Sequence, residues 1–249
     1  MRGVADYEVV LLRHGETLGY DGDLGLTPLG EQQARERGAA LAKEIGPETT
    51  VRMPHARTAR AIATAVGLRE ALVEGGVEPE PLHPDPWFDN LRHSLHGRGV
   101  DTSAAVTERL GLTGDLPDWA REYDRFDSDY RSVAAAGGPI EYWLHNPTLY
   151  FEPPHVAAHR FWRGIAEARD DTVDDLLVVV ATHSAPMRAF MATTLGHDPG
   201  EPHNLEDIRV RVRPDDTTEV VFRGTTTAMA VPPHLPPWID RAWFESFGR

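Results

Sequence analysis

The sequence contains no cysteine, which excludes disulfide staples and thiolate nucleophiles. Basic residues are in deficit: 25 Lys and Arg stand against 39 Asp and Glu, for a formal charge of −14. Such a chain is a poor general surface for nucleic acid or anionic membrane, so neither partner is expected. Any phosphate site must then be locally basic against the global field. No segment approaches the roughly twenty apolar residues of a membrane span. Residues Met1–Glu8 carry charges and lack an apolar signal region, so a cytoplasmic location is expected. There is no internal repeat or low-complexity boundary, and 249 residues suit one large α/β domain with an ample core.

What is present is a short apolar run, Val9–Leu12, that ends in Arg13, His14 and Gly15. Continuous aliphatic residues mark a strand buried on both faces. Arg13 and His14 then sit at its carboxyl end, where open α/β sheets bind ligands, and Gly15 permits a sharp turn or a close approach. Arginine offers a planar fork of donors to a phosphate, and a neutral imidazole is a nucleophile that needs no deprotonation. A second run, Leu176–Thr182, ends in His183 and Ser184 ahead of a helix over Ala185–Leu195.

Arg13-His14-Gly15-Glu16-Thr17 resembles the signature of the histidine phosphatase superfamily, also called the phosphoglycerate mutase-like superfamily, and Thr182-His183-Ser184 resembles its second histidine segment. Leu26-Thr27-Pro28-Leu29-Gly30 is similar to the family's step into its first helix. Met53–Thr58 resembles the segment that supplies a second phosphate-binding arginine. Arg57 takes that role when Pro54 and Thr58 are kept in place; a shifted register would use Arg60. The resemblance implies a three-layer α/β/α sandwich with a mostly parallel central sheet and an inserted cap-like segment. It also implies phosphoryl transfer to water through a phosphohistidine on His14, with Arg13, Arg57 and His183 around the non-bridging oxygens. Thr17, Arg92 and Ser184 complete the expected substrate contacts. No cofactor or metal is called for, because the site carries its own positive charge. The expected ligand is a small phosphorylated metabolite, and a homodimer is compatible with the sequence. Glu16 tunes a histidine, caps a helix or is simply exposed at the surface.

The proton donor is where the chain departs from the family pattern. Many members carry a glutamate after a Leu-Arg pair, and here His93 follows Leu91-Arg92. Other members place an aspartate after the second histidine, and here Ser184 and Ala185 follow His183. His93 as an imidazolium acid, Asp89 reaching back into the pocket, or a leaving group that needs little help are the three readings, with His93 favoured slightly over Asp89. Hydrolysis is preferred to mutase activity. A ligand-binding protein or a non-hydrolytic enzyme on the same scaffold is the alternative that the missing acid keeps open.

Local signals fill in the frame. Leu18–Gly25 reads as a loop, Thr27 as an N-cap and Pro28 as the first helical residue. The helix is expected to run to about Ile45, burying Leu29, Ala34, Leu41 and Ile45, with Gly46-Pro47 as its stop. Thr49–Met53 reads as a strand, and Pro54 as the start of a second helix that ends at Gly67 and carries Arg57 in its first turn. Val77–Leu82 reads as a further strand. An insertion spanning roughly 84–155 is expected to select the substrate. Its aromatics Trp119, Tyr123, Phe126, Tyr130, Tyr142, Trp143, Tyr150 and Phe151 are expected mostly to build a satellite core. Pro154–Ala168 reads as a helix bearing His155 and His159 as a solvated or structural pair, and Asp170, Asp171, Asp174 and Asp175 as a charged loop. Ile208–Val212 and Glu219–Arg223 form a hairpin around Pro214-Asp215-Asp216. The tail Val231–Arg249 packs on the body or on a partner.

Overall fold

The computed structural model describes residues 6–20, 22–95, 98–132, 138–146, 150–170 and 172–232. Asp171, the side chain of Tyr130 and the tail beyond residue 232 lie outside the described residues. The centre of the molecule is strand β1 (Tyr7–Arg13), and its apolar run explains its position: Val9 to Leu12 are all fully buried. Val9 and Leu11 face one side of the sheet and Val10 and Leu12 the other, as strand alternation requires.

On the second face lie helices α1 (Pro28–Ala42) and α2 (Ala59–Glu74), which contribute Leu41, Leu68 and Leu72 to the core. On the first face lie α6 (Pro154–Glu167) and α7 (Ser184–Leu195), which contribute Phe161, Trp162, Ile165, Met187 and Phe190. The result is a three-layer α/β/α sandwich. Its sheet is mixed. Strands β2 (Thr50–Arg52), β3 (Pro54–His55), β4 (His83–Pro84) and β7 (Leu176–Thr182) run parallel with β1 on one side. Beyond β1 on the other side, β8 (Asp207–Val212), β9 (Thr217–Phe222) and β10 (Thr225–Ala230) are antiparallel. The expected hairpin is β8–β9. The third antiparallel strand, rich in Thr and Ala and carried on an exposed edge, lacks the apolar alternation that would have announced it.

Several local expectations are corrected. Pro54 does not open a helix; it stays extended in β3, and α2 starts later, where Thr58 Oγ1 accepts the Ala61 N–H at 3.4 Å. Gly67 lies inside α2, not at its end. It serves close helix packing, since a Cβ there would approach Ala34 Cβ to 3.0 Å. Residues 77–82 are not a strand: Pro79 and Pro81 lack N–H donors, and one ladder-like bond remains, Glu80 N–H to Val51 O at 2.9 Å. Thr27 does cap α1, accepting the Gly30 N–H at 3.1 Å, but Leu29 is half exposed and Ile45 lies past the helix end at Ala42.

Between α2 and α6 the chain forms a short 3-10 turn at Pro86–Phe88, an antiparallel pair β5 (Arg92–Leu95) and β6 (Arg98–Asp101), and helices α3 (Thr102–Leu110), α4 (Asp118–Ser132) and α5 (Gly138–His145). The aromatic residues of this stretch build two small cores. One gathers Phe126, Trp143 and Phe151, with Tyr123 and Tyr142 at its margin; the other holds Trp119 with Tyr150 beside it. His155 is exposed and His159 half-buried, and no metal-holding group of three or more acidic or histidine side chains occurs among the described residues. Among those residues, no helix is long and apolar enough to cross a membrane.

Candidate active site

The parallel register of β1 and β7 sets Arg13 opposite Thr182, so the next residue of each strand, His14 and His183, emerges at neighbouring tips. The His14 N–H donates to the Thr182 carbonyl at 2.9 Å. The two rings meet edge to face with centroids 5.1 Å apart, and both residues are buried. His14 Nδ1 lies 2.7 Å from the Gly15 carbonyl. A carbonyl only accepts, so Nδ1 carries the proton and Nε2 keeps a free lone pair. Gly15 allows this turn because a Cβ on it would sit 2.5 Å from the Gly30 carbonyl oxygen. Its N–H donates to Thr64 Oγ1 at 3.0 Å, and Asn204 Nδ2 donates to the His14 carbonyl at 2.8 Å. His183 Nε2 shares a 3.0 Å hydrogen bond with Thr58 Oγ1.

Burial first, and then the charge of Arg60, pushes the His14 imidazole down to about 3. The same two causes hold His183 well below the ordinary histidine value, with His14 and Arg13 adding to them. Both rings are therefore neutral at pH 7, the state in which Nε2 of His14 is a competent nucleophile.

The arginines are distributed differently from the sequence expectation. Arg57 precedes α2, and its backbone N–H and guanidinium both grip Asp89, with Arg57 Nε 3.0 Å and Nη2 2.5 Å from Asp89 Oδ2. Arg60, the alternative register, is buried in the first turn of α2 and is the cation with the largest effect on both histidines. Its Nη1 donates to Ser103 Oγ at 3.1 Å, while its Nε has no hydrogen-bond partner among the described residues. Arg13 is steadied by the Pro202 carbonyl at 2.5 Å and by Glu201 at 3.1 Å, and its Nε likewise has no hydrogen-bond partner among the described residues. Thr17 sets its hydroxyl against the Gly25 and Gly19 carbonyls, 2.9 and 3.3 Å away, and so ties the Gly-rich loop. Glu16 is exposed and accepts from the hydroxyl of the N-cap Thr27 at 2.6 Å, supporting the cap without being it. Ser184 opens α7, whose N-cap His183 makes no side-chain bond to the first turn.

Neither acid weighed from the sequence is placed to give up a proton. Burial alone would raise the Asp89 carboxyl, but Arg57, Arg92 and Arg160 outweigh it and hold it below the usual carboxylate range. Arg92 Nη2 is 2.9 Å from Asp89 and 3.0 Å from the Pro86 carbonyl, so this predicted substrate contact is committed to the loop. His93 is fully buried, ringed by Trp119, Tyr123, Tyr150 and Phe151 at centroid distances of 4.3 to 6.2 Å. Among the described residues, neither ring nitrogen of His93 has a hydrogen-bond partner, and burial pushes the group down to about 4. It is neutral at physiological pH and faces aromatic rings.

Sequence reasoning missed the device that holds the Asp89 segment. Arg160, fully buried in α6, donates to both oxygens of Glu152 at 3.0 and 2.9 Å and to the carbonyls of Trp87, Asp89 and Asn90 at 2.8, 2.8 and 3.1 Å. The available signal was a charge on the apolar stripe of an amphipathic helix, which demands a buried partner. Asn204 offered no comparable signal.

A cavity of about 290 Å³ reaches Thr58, whose hydroxyl bonds His183, and is lined by Arg57, Asp89, Arg92, Asp101 and Ser103 among others. A larger one, about 390 Å³, lies at the opposite end of β1 among Glu8, Glu44, Arg209 and Arg211, charges that neutralise one another. The first contains Thr58, the partner of His183, and is the one connected to the chemistry.

No protein-family model matches the chain, and no curated protein sequence is similar to it. Solved structures are. A mycobacterial protein described as hydrolase 1 superposes with a TM-score of 0.57 at 19% identity, over 89% of this chain and 100% of that one. A mycobacterial glucosyl-3-phosphoglycerate phosphatase in complex with VO3 gives 0.52 at 18% identity, over 92% and 99%. A phosphoglycerate mutase from Bacillus anthracis str. Sterne gives 0.52 at 15% identity, over 98% of each chain. The chain therefore shares the fold of these structures, a three-layer α/β/α sandwich of phosphoglycerate mutase-like topology.

Proposed function

We propose that the chain is a hydrolase of phosphate monoesters that works through a phosphohistidine on His14, with a small phosphorylated metabolite as its substrate. The observation that carries this reading is the His14 tautomer. With Nδ1 spent on the Gly15 carbonyl at 2.7 Å, Nε2 is the free, unprotonated nitrogen at a strand tip beside a second buried histidine. In this reading Nε2 attacks phosphorus in line with the departing alcohol. Arg13 and Arg60 stabilise charge on the non-bridging oxygens, each with an uncommitted Nε donor. The uncapped first turn of α7, at Ser184 and Ala185, adds backbone donors to the same anion. His183, neutral in the free protein, becomes a hydrogen-bond donor to phosphate. This assigns to Arg60 the role that the motif register gave to Arg57.

The fold neighbours include a phosphatase and a mutase, so the scaffold alone does not choose. Hydrolysis is favoured over mutase action on a carboxylated substrate because Arg57 and Arg92, the cations of the adjoining cavity, already grip Asp89. Selection of the alcohol is assigned to the segment 84–155, which supplies Asp89, Arg92, Asp101 and Ser103 to that cavity.

The test is phosphate release from a panel of aryl phosphates, sugar phosphates, nucleotides and phosphoglycerates without added metal, alongside His14→Ala. Release that vanishes in the folded variant, with acid-labile phosphate trapped on the wild type at His14, is the expected result. Full activity in His14→Ala would end the phosphohistidine reading.

A further inference from the structure

The mechanism above lacks a proton donor for the leaving oxygen. A carboxyl group that no motif singles out stands in the adjoining cavity. Asp101 ends β6 and caps α3: its Oδ1 accepts the Ser103 N–H at 2.7 Å, while its Oδ2 is shielded from bulk water and has no hydrogen-bond partner among the described residues. It lines the same cavity as Thr58, which touches His183. Ser103, the residue that fixes Asp101 Oδ1, also receives Arg60 Nη1 at 3.1 Å, so one short run of contacts links the carboxyl to the cation beside both histidines.

We propose that Asp101 is the general acid, giving the proton on its free carboxyl oxygen to the departing alkoxide and recovering it from the hydrolytic water. The proposal rests on the phosphohistidine reading. In the first half-reaction the Nε2 lone pair of His14 forms the N–P bond as the P–O bond breaks. The electron pair leaves with oxygen, which takes the Asp101 proton, giving alcohol, phosphohistidine and Asp101 carboxylate. In the second, water attacks phosphorus, the N–P pair returns to Nε2, and the carboxylate takes the water proton, giving inorganic phosphate and the starting enzyme.

The environment fits the task. Burial, foremost, pushes the Asp101 carboxyl up, with Asp89 adding to it, against the opposing pull of Arg60 and the Ser103 hydrogen bonds. The groups that face it are Arg60 on α2, Asp89 and Arg92 beside the β5 pairing, and Asp23 across the cavity. Asp89, the competing carboxyl, is held ionised by two guanidinium groups and has no proton to give.

The experiment compares Asp101→Asn with wild type on an alkyl phosphate and on an aryl phosphate with a good leaving group, with His14→Ala as control. Asparagine keeps the oxygen that accepts from Ser103. The expected loss is about 10²–10⁴-fold on the alkyl ester, the usual worth of a general acid, and far less on the aryl ester. Equal losses on both esters, or none, would overturn the role of Asp101 and leave the phosphohistidine reading intact. Absence of any turnover by wild type would remove that reading and this proposal together. If Asp101→Asn does not fold, the wild type alone decides. Its alkyl-to-aryl rate ratio should fall as rising pH ionises Asp101, and a ratio flat in pH would overturn the assignment.

Discussion

Acid should destabilise this protein before its carboxylates begin to titrate, and His93 should account for a measurable share of the effect. His14 and His93 are buried and neutral, held down to about 3 and about 4 against an unperturbed 6.5. An unfolded chain binds a proton at each of these positions as pH falls below 6.5, and the folded chain does not until pH approaches its own lower value. The unfolded state therefore holds more protons in that window, and stability declines as pH drops through it. Between pH 8 and pH 5 each of the two residues removes about 2 kcal/mol, together about 4, a large part of the ~5–15 kcal/mol that holds a typical domain. His183 acts in the same direction. Asp101, an acid with a raised value, acts oppositely, gaining stability as pH falls through its folded value. His93→Leu isolates one contribution, since His93 makes no hydrogen bond and sits among aromatic rings that accept a leucine of similar size. Urea unfolding at pH 8 and pH 5 should show a pH-induced loss smaller in the variant by about 2 kcal/mol, with stability at pH 8 unchanged or improved. An identical pH-induced loss in variant and wild type would refute the neutral buried histidine.

The arginine assignment is tested by pairing two substitutions. Arg60→Met should lower aryl phosphate turnover by about 10²–10³-fold, while Arg57→Met, which breaks a half-exposed pair worth up to about 1 kcal/mol, should cost about fivefold at most. The reverse ranking would return the role to Arg57. Arg60→Met should also raise the His14 titration, read by NMR, because it removes a cation that depresses it. Arg160→Met, which strands Glu152 and three carbonyls, should cost about 3–5 kcal/mol, or roughly 6–20 °C in Tm at ~2–4 °C per kcal/mol. Arg160→Met with Glu152→Leu should recover much of it, and no recovery would mean that the carbonyl contacts rather than the ion pair dominate.

The parts of the fold that could be read from the chain are those governed by local periodicity. Val9–Leu12 and Leu176–Thr182 are apolar on both faces because both faces are covered, and the histidines follow directly from where those runs stop. Thr27 and Pro28 announce a helix start with near-neighbour chemistry. Pro54 and Gly67 misled because the same residues serve tertiary purposes: a proline opening an extended edge, and a glycine where α1 and α2 approach closely. His93 holds the motif position of an acid, yet it pairs in β5 and bridges to Phe151, which turns its ring into the aromatic cluster. Asp101 reads locally as nothing more than a helix cap. Its place in the cavity depends on the β5–β6 register that sets it opposite Arg92, and on a contact from Ser103 to Arg60, 43 residues away, that no local pattern encodes.

The net charge of −14 and the phosphate reading are reconciled by how incompletely Arg60 is answered. Arg209, Arg223 and Arg52 meet acidic partners at 2.5 to 2.7 Å, as an acidic chain can readily arrange. Among the described residues, the carboxylate that meets buried Arg60 is Asp23, 4.0 Å away and half exposed, and one Arg60 nitrogen donates to the neutral hydroxyl of Ser103. Its charge adds to burial, the larger cause, in keeping His14 and His183 deprotonated. By the same linkage, an anion that satisfies Arg60 and Arg13 relieves the depression and raises both imidazoles. On the reading proposed here, the free protein holds a neutral nucleophile ready, and arrival of the phosphate itself makes a proton on His183 affordable where charge is about to develop.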